Sequence, residues 1–130
     1  MRTFHKNVVA TICFAAISTK ALAITLTSSQ TNYVTSGNIT ENASGIISSL
    51  TGTLNNPNRI TNLHIITSGN SGTVASAYGI RSSGAFNQIT NSTNAQINTT
   101  GSSGRGISIA GGNSSVINQG AISTLGSSSY

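Results

Sequence analysis

The sequence predicts an all-β protein, a right-handed parallel β-helix segment preceded by a cleavable signal peptide, and three observations carry that expectation. A short phrase recurs: Tyr78-Gly79-Ile80 returns as Arg105-Gly106-Ile107, and Tyr130 stands where a third copy would open. The composition has no helix-forming character, with 5% charged residues, 14 glycines and one proline among 130 residues. Isolated isoleucines and valines stand between serine, threonine and asparagine, which is the pattern of narrow strands and not of helical solenoids. Recurrence at this spacing points to a stack of like units rather than a globule.

The rest of the unit recurs with the phrase. Ile89-Thr90-Asn91 is answered by Val116-Ile117-Asn118, and Ala95-Gln96-Ile97-Asn98-Thr99 by Gly120-Ala121-Ile122-Ser123-Thr124, with Thr93 and Asn94 dropping out. Gly101-Ser102-Ser103 meets Gly126-Ser127-Ser128. A looser earlier unit holds Ile60-Thr61-Asn62 and Ile66-Thr67-Ser68-Gly69. Length drift at glycine and asparagine is what surface loops tolerate. These units divide the chain into a signal peptide over 1–23, an N-terminal cap and first irregular turn over 24–59, and solenoid repeats of about 25–29 residues per turn over 60–130, where the chain stops in mid-repeat.

In such a coil each turn hydrogen-bonds to the turns above and below. The expected inward positions are Ile60, Ile66, Ile80, Ile89, Ile97, Ile107, Val116, Ile122 and Leu125. Serine, threonine and asparagine are expected in rows outside, with glycines at corners that need positive φ. At a strand spacing of about 4.8 Å, four turns stand roughly 20 Å tall.

The amino terminus reads as an export signal. Arg2, His5 and Lys6 form a basic start, Val8 to Ser18 an apolar stretch, and Ala21-Leu22-Ala23 a small-x-small motif that predicts cleavage after Ala23. The apolar stretch is too short to span a bilayer permanently, and no second apolar run exists. Cys13, the one cysteine, lies inside the leader, so the exported chain has no thiol for a disulfide and depends on stacking.

The leader and the degenerate Ile-Thr-Asn, Ala77-Tyr78-Gly79-Ile80 and Asn118-Gln119-Gly120-Ala121-Ile122 units together resemble the passenger region of bacterial autotransporters. That resemblance implies a right-handed parallel β-helix shown at the surface of a Gram-negative bacterium, or released from it. It also implies a partner, an outer-membrane translocator barrel, and no strand pattern of that kind occurs in these residues. Asn55-Asn56-Pro57-Asn58-Arg59 is similar to the turns of two-partner-secretion haemagglutinins but has Arg59 where they carry glycine. A plain turn explains it as well.

Catalysis is not expected. Glu41 is the one acid and there is no aspartate, so no carboxylate pair can be assembled. His64, the one histidine after the leader, has no evident metal-ligand partners and reads as a strand residue with its ring at the surface. Gly101-Ser102-Ser103-Gly104-Arg105-Gly106 lacks the lysine that ends a phosphate loop, so its glycines read as corners. Neither metal nor cofactor is therefore expected. The sequons at Asn38, Asn42, Asn91, Asn98 and Asn113 follow from a composition close to half Ser, Thr and Asn after the leader.

Removing Arg2, Lys6 and Lys20 with the leader leaves Arg59, Arg81 and Arg105 against Glu41, a balance of 3 − 1 = +2. Three scattered arginines make no nucleic-acid stripe. Tyr78, Arg81, Arg105 and Tyr130 fall near one corner of successive turns and form the expected contact surface. Two function classes follow: an adhesin binding host or neighbouring-cell glycans or proteins, or a spacer holding another domain away from the envelope.

Overall fold

The computed structural model describes residues 23–27, 32–69 and 76–128. They hold twelve strands and no helix: β1 (Ile24–Leu26), β2 (Asn32–Val34), β3 (Ile39–Glu41), β4 (Ser44–Ser48), β5 (Asn58–Asn62), β6 (Ile65–Ser68), β7 (Tyr78–Ser82), β8 (Asn87–Asn91), β9 (Gln96–Thr99), β10 (Arg105–Ile109), β11 (Ser115–Asn118) and β12 (Ala121–Thr124). Every third strand pairs with the next in parallel, giving the sheets β1-β4-β7-β10, β2-β5-β8-β11 and β3-β6-β9-β12. The described residues thus form a three-sided β-solenoid of four tiers, three strands to a tier.

Register converts the recurrence in sequence into vertical rows. Ile24, Ile46, Ile80 and Ile107 stack in the first sheet, Tyr33, Ile60, Ile89 and Val116 in the second, and Ile39, Ile66, Ile97 and Ile122 in the third. Their middle members form the core: Ile46, Ile60, Ile66, Ile80, Ile89 and Ile97 are at most 1% exposed. β-branched isoleucine suits these places because its χ1 is already restricted in a strand and its bulk packs on the pleat.

The described residues of the segment 24–59 do not form an irregular cap. They carry β1 to β4 and the start of β5, each aligned with the tier above, so the described stack begins at Ile24. The step between tiers varies along the chain: it is 22 residues from Ile24 to Ile46 and 34 from Ile46 to Ile80, and within residues 60–130 it is 27 from Ile80 to Ile107, 29 from Ile60 to Ile89, 31 from Ile66 to Ile97 and 25 from Ile97 to Ile122. The strands keep their length while the corners absorb the difference. Asn55-Asn56-Pro57 lies at one such corner, in a turn closed by Thr53 and Asn56, which donate to each other's carbonyl at 3.0 and 3.2 Å.

Three expected inward positions come out differently. Val116 and Ile122 occupy their rows but are 44% and 39% exposed, because no described tier lies above them. Leu125, 65% exposed, is not in a row at all: it follows Thr124, whose partner is Thr99, and so stands level with exposed Thr100. Burial, not residue type, sets the energetics here. Ile89→Ala, in a closed row, is expected to cost about 3 kcal/mol through lost transfer and a cavity, and Val116→Ala under about 1 kcal/mol. Urea unfolding of the two variants checks the difference.

The polar rows are not all outside. Asn62, Asn87, Asn91, Ser48, Ser68, Ser82 and Thr99 are fully buried. Asn62 Nδ2 donates to Asn91 Oδ1 at 2.9 Å, and Asn91 Nδ2 donates to Asn118 Oδ1 at 2.8 Å, forming a carboxamide ladder up one corner. Each amide also reaches a backbone carbonyl where the chain turns into the third sheet, Gln96 O for Asn62 and Ala121 O for Asn91, both at 3.3 Å. A corner breaks the strand ladder and frees backbone groups that must be paired when buried, and a short amide side chain pairs them.

Glycine's main use here is space. Of the described glycines only Gly69 has positive φ, 75°, while Phe86 (54°), Asn94 (69°) and Asn113 (54°) hold the other left-handed positions. Gly45, Gly79 and Gly106 lie one above another instead, and a Cβ on each would collide with the side chain of Ile66, Ile97 and Ile122 respectively. The recurring Gly-Ile phrase is therefore a slot beside a peg: the glycine row of the first sheet admits the isoleucine row of the third.

Candidate functional site

Register assembles one side-chain cluster on the first sheet. Arg105 opens β10 directly over Tyr78, which opens β7, and Arg81 follows Tyr78 by three residues on the same strand. The Arg81 guanidinium carbon lies 5.2 Å from the centre of the Tyr78 ring and that of Arg105 lies 5.7 Å from it. Arg81 is exposed, whereas Tyr78 and Arg105 are half-buried. Two cations therefore share one aromatic ring. Such contacts contribute about 0.5–1 kcal/mol each at exposed sites, enough to hold the guanidinium groups in place without neutralising them.

Tyr130, the fourth expected member, lies outside the described residues, as do Ala21 and Leu22 of the cleavage motif; Ala23 is the first residue described. Arg59 stands apart, on β5 of the second sheet, level with Asn32 and Gln88.

The remaining chemistry-bearing residues do not converge. Glu41 ends β3, level with Ser68, and burial holds its carboxyl above the usual range for glutamate. Its Oε2 has no hydrogen-bond partner among the described residues. His64 sits in a bend between β5 and β6 and not in a strand, half-buried, with Nδ1 3.3 Å from the Thr35 hydroxyl at the base of the carboxamide ladder. Among the described residues no three His, Cys, Asp or Glu side chains gather where a metal ion would need them. The Gly101–Gly104 segment is a tight turn, with Gly104 N donating to Gly101 O at 2.9 Å, while the neighbouring Thr100 hydroxyl donates to Gly69 O at 2.6 Å.

No protein family, no curated protein and no solved structure matches this chain. Two guanidinium groups over a phenol ring offer a planar, multiply donating cationic face next to an aromatic one, a combination suited to binding carboxylate, sulfate or ring-bearing ligands.

The ladder is the feature that sequence reasoning placed on the wrong side. Its signal was present in Asn62, Asn91 and Asn118, each the last residue of an aligned triplet that opens on isoleucine or valine. A side chain that returns at a strand's end in every tier is a corner residue, and corners are where amides are buried.

Proposed function

We propose that this chain is the exported, surface-displayed passenger portion of an autotransporter-like adhesin, a right-handed parallel β-helix that holds host or neighbouring-cell surfaces. The observation that carries the reading is the convergence of Tyr78, Arg81 and Arg105 on one outer corner of a narrow coil. The apparent leader ending at Ala21-Leu22-Ala23 supports export, and the thiol-free remainder suits passage through an outer-membrane translocator barrel in an unfolded state. Right-handed winding follows the rule for parallel strand crossovers. With Glu41 as the one acid, this reading assigns the chain no catalysis and no cofactor.

Binding energy in such an interface concentrates on aromatic and arginine anchors. The ligand expected is an acidic glycan or protein surface. Exported chain applied to immobilised cells or glycans is expected to be retained, and Tyr78→Ala with Arg105→Ala to lose about tenfold in apparent affinity. Far-ultraviolet dichroism verifies that the pair of substitutions leaves the strands intact. Equal retention of both proteins would sink the assignment of this corner.

A further inference from the structure

Positive charge after Ala23 gathers at one place. Of the three arginines there, Arg81 and Arg105 both lie within 5.7 Å of the centre of the Tyr78 ring, while Arg59 stands on another sheet. The one acid, Glu41, ends β3 on the third sheet, and its Oε2 is buried without a hydrogen-bond partner among the described residues. Two like charges drawn onto one ring repel each other, and an anion that meets both replaces that repulsion with attraction on two sides.

Strand alternation adds a third polar group to this corner. Ile80 and Ser82, on either side of Arg81, are fully buried, so Arg81 points outward from the first sheet. Ser108 pairs in register with Arg81 from the neighbouring strand, takes the same outward side and is half-exposed. On the other side of Arg81 the same row holds Ile47, which has no polar side-chain atom. The corner thus presents two guanidinium forks and one hydroxyl on a single outer face.

We infer that Arg81, Arg105 and Ser108 form a site for a tetrahedral oxyanion, a sulfate or phosphate monoester carried on a sugar. A carboxylate is planar and meets one guanidinium fork with both of its oxygens. A sulfate or phosphate ester has three terminal oxygens set as a tripod, so two of them meet one fork and the third faces the second. Exposed Arg81 has room to turn its fork toward the anion that Arg105 holds, and the Ser108 hydroxyl donates to an oxygen beside Arg81. Tyr78 positions both forks through its ring. This inference rests on the adhesin reading for the use of the corner and adds the group that the corner selects.

The test is a chemical-shift titration of the full chain at neutral pH, following the Tyr78 ring and the arginine Nε–H signals. The probes are N-acetylglucosamine 6-sulfate, glucose 6-phosphate, glucuronate and glucose. Either ester is expected to bind at least about tenfold more tightly than glucuronate, and glucose to leave the signals in place. Whichever ester binds more tightly names the source, a sulfated or a phosphorylated glycan. Arg81→Lys keeps the charge and removes the fork, and is expected to abolish the preference for esters over glucuronate. Arg59→Ala removes the same charge from another sheet and is expected to leave that preference unchanged. Equal binding of glucuronate and both esters overturns the inference, as does an equal loss of ester binding in Arg59→Ala and Arg81→Ala, which would reduce the effect to net charge. Cell retention that depends on Tyr78 and Arg105 without any ester preference strikes this inference and leaves the adhesin reading standing. Ester preference without cell retention does the reverse.

Discussion

Gly79→Ala is expected to destabilise the coil by at least about 3 kcal/mol, a large effect for the addition of one methyl group. The new Cβ would meet the Ile97 side chain and, 2.6 Å away, the carbonyl oxygen of Gly106 in the next tier. Neither neighbour can retreat. Ile97 is fully buried in the core, and Gly106 is held in a strand whose flanking residues Arg105 and Ile107 pair with Tyr78 and Ile80. Strand β7 is paired on both sides, so a backbone shift at Gly79 would disturb β4 and β10 together. Gly37→Ala is the matching control: nothing lies within 4 Å of its Cβ position, and the change is expected to be near neutral. Urea midpoints of the two variants measure the contrast, and similar midpoints would refute the slot-and-peg account of the Gly-Ile phrase.

Asn91→Leu is expected to cost about 3 kcal/mol although leucine is more hydrophobic and similar in size. The substitution strips Asn62 Nδ2 of the shorter of its two acceptors and leaves it Gln96 O, and it strips Asn118 Oδ1 of its donor and the Ala121 carbonyl of a bond. Asn62 and Asn91 are both fully buried, so water cannot replace the bond that Asn62 loses, whereas exposed Asn118 can be rehydrated. Gln88→Ala, three residues earlier on the exposed side of the same strand, is expected to stay within about 0.5 kcal/mol. Thermal unfolding of the pair separates a buried ladder from a decorative polar row: if Asn91→Leu melts with Gln88→Ala, the ladder contributes nothing.

The two variants act on different physics. Gly79 fails by overlap and Asn91 by orphaned polar groups. In a coil each tier contacts only its neighbours, so both are expected to weaken the third tier and the two next to it before the first.

Much of the architecture was legible from residue order. A phrase recurring every 27 residues, with β-branched residues set singly among polar ones, is enough to expect parallel strands and to select Ile60, Ile66, Ile80, Ile89 and Ile97 as core. The corner that joins Tyr78 to Arg105 was legible for the same reason, since residues one repeat apart are vertical neighbours. Less legible was the first tier. Ile24, Tyr33 and Ile39 lack the recurring phrase, and their membership shows only through their register with Ile46, Ile60 and Ile66. Leu125 went astray because a hydrophobic residue just beyond a strand looks the same in sequence as one within it.

What the sequence by itself determined is the repeat: period is a property of the chain, and a strand's inward positions follow from it once alternate residues face opposite ways. Tertiary structure alone decided which polar residues are buried and which apolar ones are not. Asn91 is interior because the corner leaves backbone carbonyls to be paired, Gly79 is glycine because Ile97 of another sheet needs its space, and Val116 is wet because no described tier covers it. Each of these depends on a neighbour one tier or one face away, and only folding brings that neighbour near.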